Sequence, residues 1–150
     1  MRKSQHVALL GLVASLLFTQ QVFAGKDGEE LFNQRCLACH QAGGVGAPGL
    51  APPLVNAALW PALKDQTQPY FFGVLTSGLS GTIEVDGVGY YGLVMPPQAD
   101  LSEAQMILLA DYVLNDLNSL GVPPDAKILD AARKQPSSHA ALRELRKNAQ

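Results

Sequence analysis

The chain has two cysteines, Cys36 and Cys39, and His40 follows the second one directly. This Cys-x-x-Cys-His spacing constrains the fold more than any other feature of the 150-residue sequence. On a helix, residues three and four positions apart share one face, so both thiols and the imidazole can meet the same ligand. The pattern is typical of covalent haem c attachment. We therefore predict thioether bonds from both cysteines to one porphyrin, with His40 as the proximal iron ligand.

Two other uses of a Cys-x-x-Cys pair fit this sequence less well. A thioredoxin-type redox pair belongs in a βαβ context, and the chain has no such pattern around residues 36–40. A zinc site needs further ligands at metal spacing, and beyond the N-terminal segment His139 is the remaining histidine. Haem is the interpretation that uses both thiols and the adjacent histidine.

The N-terminus predicts export. Arg2 and Lys3 precede an apolar run of 12 residues at 7–18, and Val22 and Ala24 occupy the −3 and −1 positions of a cleavage site. We predict a signal peptide over residues 1–24 and a periplasmic mature chain. The apolar run is shorter than the roughly 18 residues that a membrane span needs, and no later segment is suited to span a membrane.

Charge divides the mature chain into two predicted parts. Residues 25–121, the predicted haem domain, hold three basic and ten acidic residues, a net charge of −7. Residues 122–150, a predicted basic C-terminal extension, hold six basic and three acidic residues, a net charge of +3. An acidic domain disfavours nucleic acid as a partner and favours docking to positively charged protein surfaces.

The first predicted helix leads into the haem motif. It begins near Gly28, with Asp27 as N-cap and Glu30 completing a capping box. Three glycines then end the helix: Gly43, Gly44 and Gly46.

Residues 43–53 are rich in glycine and proline and are predicted to form a loop. Such a loop holds its carbonyls in fixed positions, and one of them can accept a hydrogen bond from the Nδ1–H of His40. Pro52 is the preferred source of that carbonyl. The alternative is that the prolines only shape the loop.

Two further helices are predicted. One is opened by Gln68-Pro69, because proline is favoured at the first helical position, and covers about residues 70–77 before it stops at Gly78. The last helix begins with a capping box formed by Ser102 and Gln105 and ends near Gly121. Between these helices, Asp86-Gly87 is a strong hairpin-turn signal that joins short strands at 83–85 and 88–91.

Three side chains could supply a second iron ligand. Met106 lies on the apolar stripe of the last helix, which favours core packing, and His139 lies in the basic extension, where we expect it to be solvated. Met95 lies in a predicted loop over residues 92–99, before two prolines that hold the chain extended. We predict that Met95 ligates the iron; the alternative is that it fills an apolar gap.

With the Cys-x-x-Cys-His motif and Met95-Pro96, the chain resembles class I c-type cytochromes over about residues 25–120. The resemblance implies an all-α cytochrome c fold, with several helices around one covalently bound haem c and a short β-hairpin. It implies that Met95 is the second axial ligand, that Pro52 accepts the hydrogen bond from His40, and that Trp60 donates to a haem propionate. It also implies that the first and last helices cross through Phe32 and Tyr112.

The resemblance further implies a monohaem electron carrier, not an enzyme, because histidine with methionine raises the reduction potential. Its partners would be redox proteins: a dehydrogenase as donor, and an oxidase or another cytochrome as acceptor. The ring of lysines of the mitochondrial members is missing. Two alternatives stay open, a permanently bound haem c subunit of a periplasmic dehydrogenase and a haem enzyme or ligand sensor with an open distal site.

Two structures are possible for the C-terminal extension. Its apolar residues Ile128, Leu129, Ala132, Leu142 and Leu145 predict two short amphipathic helices. Such helices can dock onto a partner enzyme or a sister subunit. The alternative is a solvated, partly disordered tail.

Overall fold

The computed structural model describes residues 23–149, so most of the predicted signal peptide lies outside the described residues. Helices predominate in this range, and the elements in chain order are α1 Phe23–Arg35, α2 Leu37–His40, α3 Leu59–Leu63, α4 Thr67–Ser77, β1 Leu79–Val85, β2 Val88–Met95, α5 Glu103–Asp111, α6 Ala126–Lys134 and α7 His139–Asn148. This architecture confirms the all-α fold class with one hairpin. None of the helices in residues 23–149 is both long and apolar enough to cross a membrane.

Helical backbone carries α1 into the haem motif. The N–H of Cys36 donates to the carbonyl of Phe32, and the N–H of His40 to that of Cys36, each at 2.8 Å. Asp27 lies inside α1, which begins at Phe23, so its predicted role as N-cap is wrong. A capping box contributes only about 1 kcal/mol, and here the preceding turn supplies the helical hydrogen bonds instead. The predicted end is wrong in its position: the helical segment ends at His40, before the glycines, because Gln41 leaves it with a φ of 61°.

The first and last helices of the haem domain cross at a glycine. A Cβ at Gly28 would lie 2.7 Å from the Leu108 carbonyl oxygen and 2.9 Å from Tyr112 Cβ, so only glycine allows this approach. One turn further along α1, the rings of Phe32 and Tyr112 pack with centroids 5.3 Å apart. This pair confirms the predicted crossing. The Ser102–Gln105 capping box is also confirmed, with both of its hydrogen bonds present.

The hairpin is longer than predicted. Asp86 and Gly87 both have positive φ, as a two-residue turn requires. β2 continues to Met95, which pairs with Leu79, so the predicted loop over residues 92–99 is wrong for its first four residues. The cause is tertiary: Gly78 ends α4 with a φ of 73° and turns the chain straight into β1, which gives the end of β2 a partner.

The C-terminal segment packs on the same core. Leu129 on α6 and Leu142 on α7 are fully buried, in one cluster with Phe72 of α4. A Cβ at Gly73 would lie 2.9 Å from Leu142 Cδ2, so a glycine on α4 makes room for α7. Both predicted helices of residues 122–150 are present, and their apolar faces are covered by this chain's own haem domain.

His139 is not solvated as predicted. It is half-buried, it hydrogen-bonds through Nδ1 to the Ser80 hydroxyl, and its Nε2 lies 3.0 Å from the Ser77 carbonyl oxygen. These contacts tie the start of α7 to the junction between α4 and β1.

Candidate haem site

The predicted haem residues meet at one apolar cleft. The cleft is open on one side and is lined mainly by apolar side chains. Such a lining suits the apolar face of a porphyrin macrocycle. All six residues predicted to bind the cofactor line it: Cys36, Cys39, His40, Pro52, Trp60 and Met95.

The two cysteines differ in exposure. Cys36 is half-buried, Cys39 is exposed, and neither forms a disulfide. Burial raises the pKa of the Cys36 thiol to about 11, with a smaller opposing effect from the Arg35 charge. The unmodified thiol is therefore neutral and half-buried, and a thioether, which also carries no charge, fits there without an ionic desolvation cost.

The orientation of His40 is set by a backbone carbonyl. Its Nδ1 lies 3.0 Å from the Pro52 carbonyl oxygen, so the predicted hydrogen bond is present. Because a carbonyl only accepts, Nδ1 carries the proton and Nε2 is left as the free nitrogen for a metal. Burial lowers the pKa of His40, against a raising effect of the Pro52 hydrogen bond and with a further lowering by the Arg146 charge. The imidazole is thus held neutral, the form that ligates iron.

A glycine lets the Pro52 carbonyl reach His40. A Cβ at Gly46 would lie 2.5 Å from the Pro53 nitrogen and 2.7 Å from the Pro52 carbonyl carbon. Gly46 also has a φ of 74°, and its N–H donates to the His40 carbonyl at 2.8 Å. The loop is thereby folded tightly against the haem motif.

Met95 reaches the cleft from the end of β2. It is half-buried and packs against the main hydrophobic core. Met106, by contrast, is 1 % exposed, and the Arg133 guanidinium approaches its sulfur at 3.6 Å. Of these two methionines, only Met95 lines the cleft with His40.

The indole N–H of Trp60 is hydrogen-bonded to the backbone. Its Nε1–H donates to the Leu54 carbonyl at 2.7 Å. Its ring packs 6.2 Å from Tyr70 and 6.1 Å from Phe71, measured between centroids. Donation to a haem propionate therefore stays a prediction, and it would require the indole N–H to share or leave this carbonyl.

Among the polar residues of the cleft that sequence reasoning missed are Arg146 and Tyr70. Arg146 on α7 is 5 % exposed, and its Nη1 donates to the Tyr70 hydroxyl at 3.3 Å. The only signal was that Leu142 and Arg146 lie four residues apart on one helix face. An arginine at such a position is ordinarily solvated, so the pattern did not point to the cleft.

Helices enclosing one apolar cleft, with two free thiols and an adjacent neutral histidine at its wall, define a haem c-binding domain. Residues 25–116 match the family model described as "Cytochrome c". The chain belongs to this family. It is a haem c electron-transfer protein, and its one haem is covalently bound through Cys36 and Cys39.

The chain is also similar to curated bacterial proteins named cytochrome c-552. It is 35% identical over 102 residues to one from Thermus thermophilus, with 68% of each chain covered. A second Thermus thermophilus protein is 36% identical over 87 residues, covering 58% of this chain and 65% of that one. One from Nitrosomonas europaea is 30% identical over 107 residues, covering 71% and 94%. The resemblance to class I c-type cytochromes is thereby confirmed.

Proposed function

We propose that this protein is a periplasmic carrier of single electrons whose haem iron is held between His40 and Met95. The observation that carries the proposal is that both side chains line the cleft of the Cys-x-x-Cys motif although they are far apart in the sequence. When bound, haem supplies reversible one-electron chemistry at its iron. A histidine–methionine pair favours the reduced iron and so raises the reduction potential.

The protein's own residues support this role in two ways: they fix the orientation of the axial histidine and they exclude water from the cleft. Pro52 holds His40 in one orientation. The residues around the cleft are mainly aliphatic and aromatic, which keeps the site at low dielectric. In the proposed role no residue acts as acid, base or nucleophile, because an electron crosses the haem edge by outer-sphere transfer.

The mouth of the cleft suits a transient partner. Exposed apolar side chains occur beside the haem motif, among them Leu50 at 50 % exposure and Val45 at 64 %. We infer that these side chains contact the redox partner, as exposed apolar surface does at interaction sites. The surrounding haem domain is acidic, with a net charge of −7 over residues 25–121, so we infer redox partners with positively charged docking surfaces.

Export is proposed from the N-terminal pattern of a basic start, an apolar run and small residues at the cleavage positions. Fractionation of cells that express the full chain should place the haem protein in the periplasm. Haem-loaded full-length protein in the cytoplasm would contradict this part of the proposal.

Met95→Ala tests the axial ligand. We expect the far-red thioether–iron absorption band of the ferric protein to disappear and the reduction potential to fall, because the iron loses its sulfur ligand. The reduced variant should also bind carbon monoxide rapidly.

Met106→Leu is the matched control, since it removes a buried sulfur from the core and leaves the cleft methionine in place. It should keep the far-red band. A band that survives Met95→Ala would refute the assignment, and rapid binding of carbon monoxide by the unmodified reduced protein would favour the open-site alternative.

A further inference from the structure

The haem cleft contains a buried cation that comes from outside the residues of the family match. Arg146 lies on α7, 30 residues beyond the last matched residue, 116. It is 5 % exposed and lines the cleft together with His40 and Met95.

Only one nitrogen of the Arg146 guanidinium is hydrogen-bonded within the described residues. Nη1 donates to Tyr70, while Nε and Nη2 are buried with no hydrogen-bond partner among residues 23–149. The described lining of the cleft contains no aspartate or glutamate. The ion pairs found in this part of the chain, Arg35–Asp100 and Lys134–Asp130, lie at the surface.

A buried charge without a counterion is strongly unfavourable, so such groups are paired. Nε and Nη2 form one edge of the planar guanidinium, and that edge matches the two oxygens of a carboxylate. The free edge of Arg146 is therefore complementary to a carboxylate at the cleft. The haem that occupies this cleft has two such groups, its propionates.

The position of Arg146 is fixed by the packing of α7. Leu142, four residues earlier on the same face, is fully buried and lies against the space left by Gly73 on α4. At the other end of α7, His139 bonds to the Ser77 carbonyl. Tyr70 then orients the guanidinium by accepting from Nη1. A side chain held in this way loses little freedom when it binds an anion.

We propose that Arg146 binds a haem propionate through Nε and Nη2, so that the C-terminal segment completes the haem site. The inference depends on haem occupying this cleft but does not depend on ligation by Met95. Arg146 also acts as a positioning residue for the potential, because a fixed positive charge beside the haem favours the reduced iron.

The reduction potential measured against pH provides the test. Arg146→Gln should lower the equilibrium constant for reduction about tenfold, which for one electron is about 59 mV. The potential of the variant should also fall as pH rises between 5 and 8, because the unpaired propionate then titrates in that range. The unmodified protein should be nearly flat over the same interval.

The other ionisable groups facing the cleft do not explain a pH-dependent change of the potential between pH 5 and 8. Arg35 is paired with Asp100 at the rim, and the two cysteines are thioethers in the loaded protein. His40 is engaged at Nδ1 by Pro52. The Tyr70 hydroxyl already accepts a hydrogen bond from Arg146. None of these predicts a new step between pH 5 and 8.

Lys147→Gln is the matched control. It removes one positive charge from the next position of the same helix, but Lys147 is exposed. We expect its potential and pH dependence to remain close to those of the unmodified protein. Arg146→Lys keeps the charge without the planar fork and should give an intermediate potential.

Superimposable curves for Arg146→Gln and Lys147→Gln would overturn the inference. If Arg146→Gln does not fold, the variants Arg146→Lys and Tyr70→Phe test the inference instead. Each should lower the reduction potential relative to Lys147→Gln. If neither variant lowers it, the inference is overturned. The far-red band read on the same samples reports Met95 separately, so failure of the axial assignment is distinguishable.

Discussion

The orientation of His40 depends on one carbonyl and on the glycine beside it. The Pro52 hydrogen bond was expected from the glycine–proline loop, because fixed carbonyls near a metal-binding histidine commonly set its tautomer. The role of Gly46 became clear only from the structure, where the loop folds back and a Cβ at this position would clash with Pro52 and Pro53. Arg146 could not be expected at all, since an isolated cation on a short helix is ordinarily solvated.

Gly46→Ala should destabilise the haem-loaded protein by about 1–3 kcal/mol, from a positive φ combined with a steric clash. Displacement of the Pro52 carbonyl should also weaken the bond to His40 Nδ1. Denaturant unfolding gives the free energy, and the haem absorption spectrum reports the ligand.

Gly43→Ala is the control, because Gly43 has a similar φ of 65° but a Cβ there would meet nothing within 4 Å. It should lose less stability than Gly46→Ala. Equal losses would mean that backbone strain, and not the approach of Pro52, accounts for the effect.

At the scale of elements, local signals predicted local structure. The capping box of α5 and the Asp86-Gly87 turn were both expected, because each is a hydrogen-bonded or dihedral arrangement within a few residues. The N-cap at Asp27 and the loop over residues 92–95 were wrong. In both cases neighbouring backbone supplies hydrogen bonds that local patterns do not reveal, the preceding turn of α1 for one and β1 for the other.

The crossing of α1 and α5 gives the next prediction. Gly28→Ala would ordinarily favour a helix by up to about 1 kcal/mol. Here the added methyl group meets the Leu108 carbonyl and Tyr112, and overpacking of this kind costs about 1–3 kcal/mol. We therefore expect a net loss of unfolding free energy in a denaturant titration.

Asn33→Ala is the comparison on the same helix, since Asn33 is exposed. That change should be neutral or slightly stabilising. A Gly28→Ala protein as stable as Asn33→Ala would show that the helices can separate without penalty, contrary to the close contact described above.

At the scale of the whole molecule, the C-terminal segment completes the core of the haem domain. Leu129 and Leu142 are both fully buried within it. The basic charge of residues 122–150 suggested a separate extension for a partner, yet its apolar faces pack on α4. A small domain gains proportionally more from such added burial, because it otherwise removes a smaller fraction of its surface from water than a large domain does.

Leu142→Ala should destabilise the protein by about 2–5 kcal/mol, as large-to-small changes in a core do. Because Arg146 lies one turn further along α7, the variant should also lower the reduction potential. Denaturant unfolding and voltammetry measure the two effects on the same sample.

Leu145→Ala on the same helix is the control, because that side chain is only half-buried. It should have the smaller effect on stability and leave the potential nearly unchanged. Equal effects from the two changes would contradict the anchoring role of Leu142.

While the class of fold came from the resemblance to class I c-type cytochromes, the sequence by itself determined the cofactor, its attachment residues and the hairpin turn. These follow from chemistry within a few residues: two thiols and an imidazole on one helix face, and turns that need particular dihedral angles. Only the tertiary structure decided that Arg146 shares the cleft with the predicted His40 and Met95. Their meeting depends on how α2, β2 and α7 pack, and packing is an interaction between distant parts of the chain that no local pattern encodes.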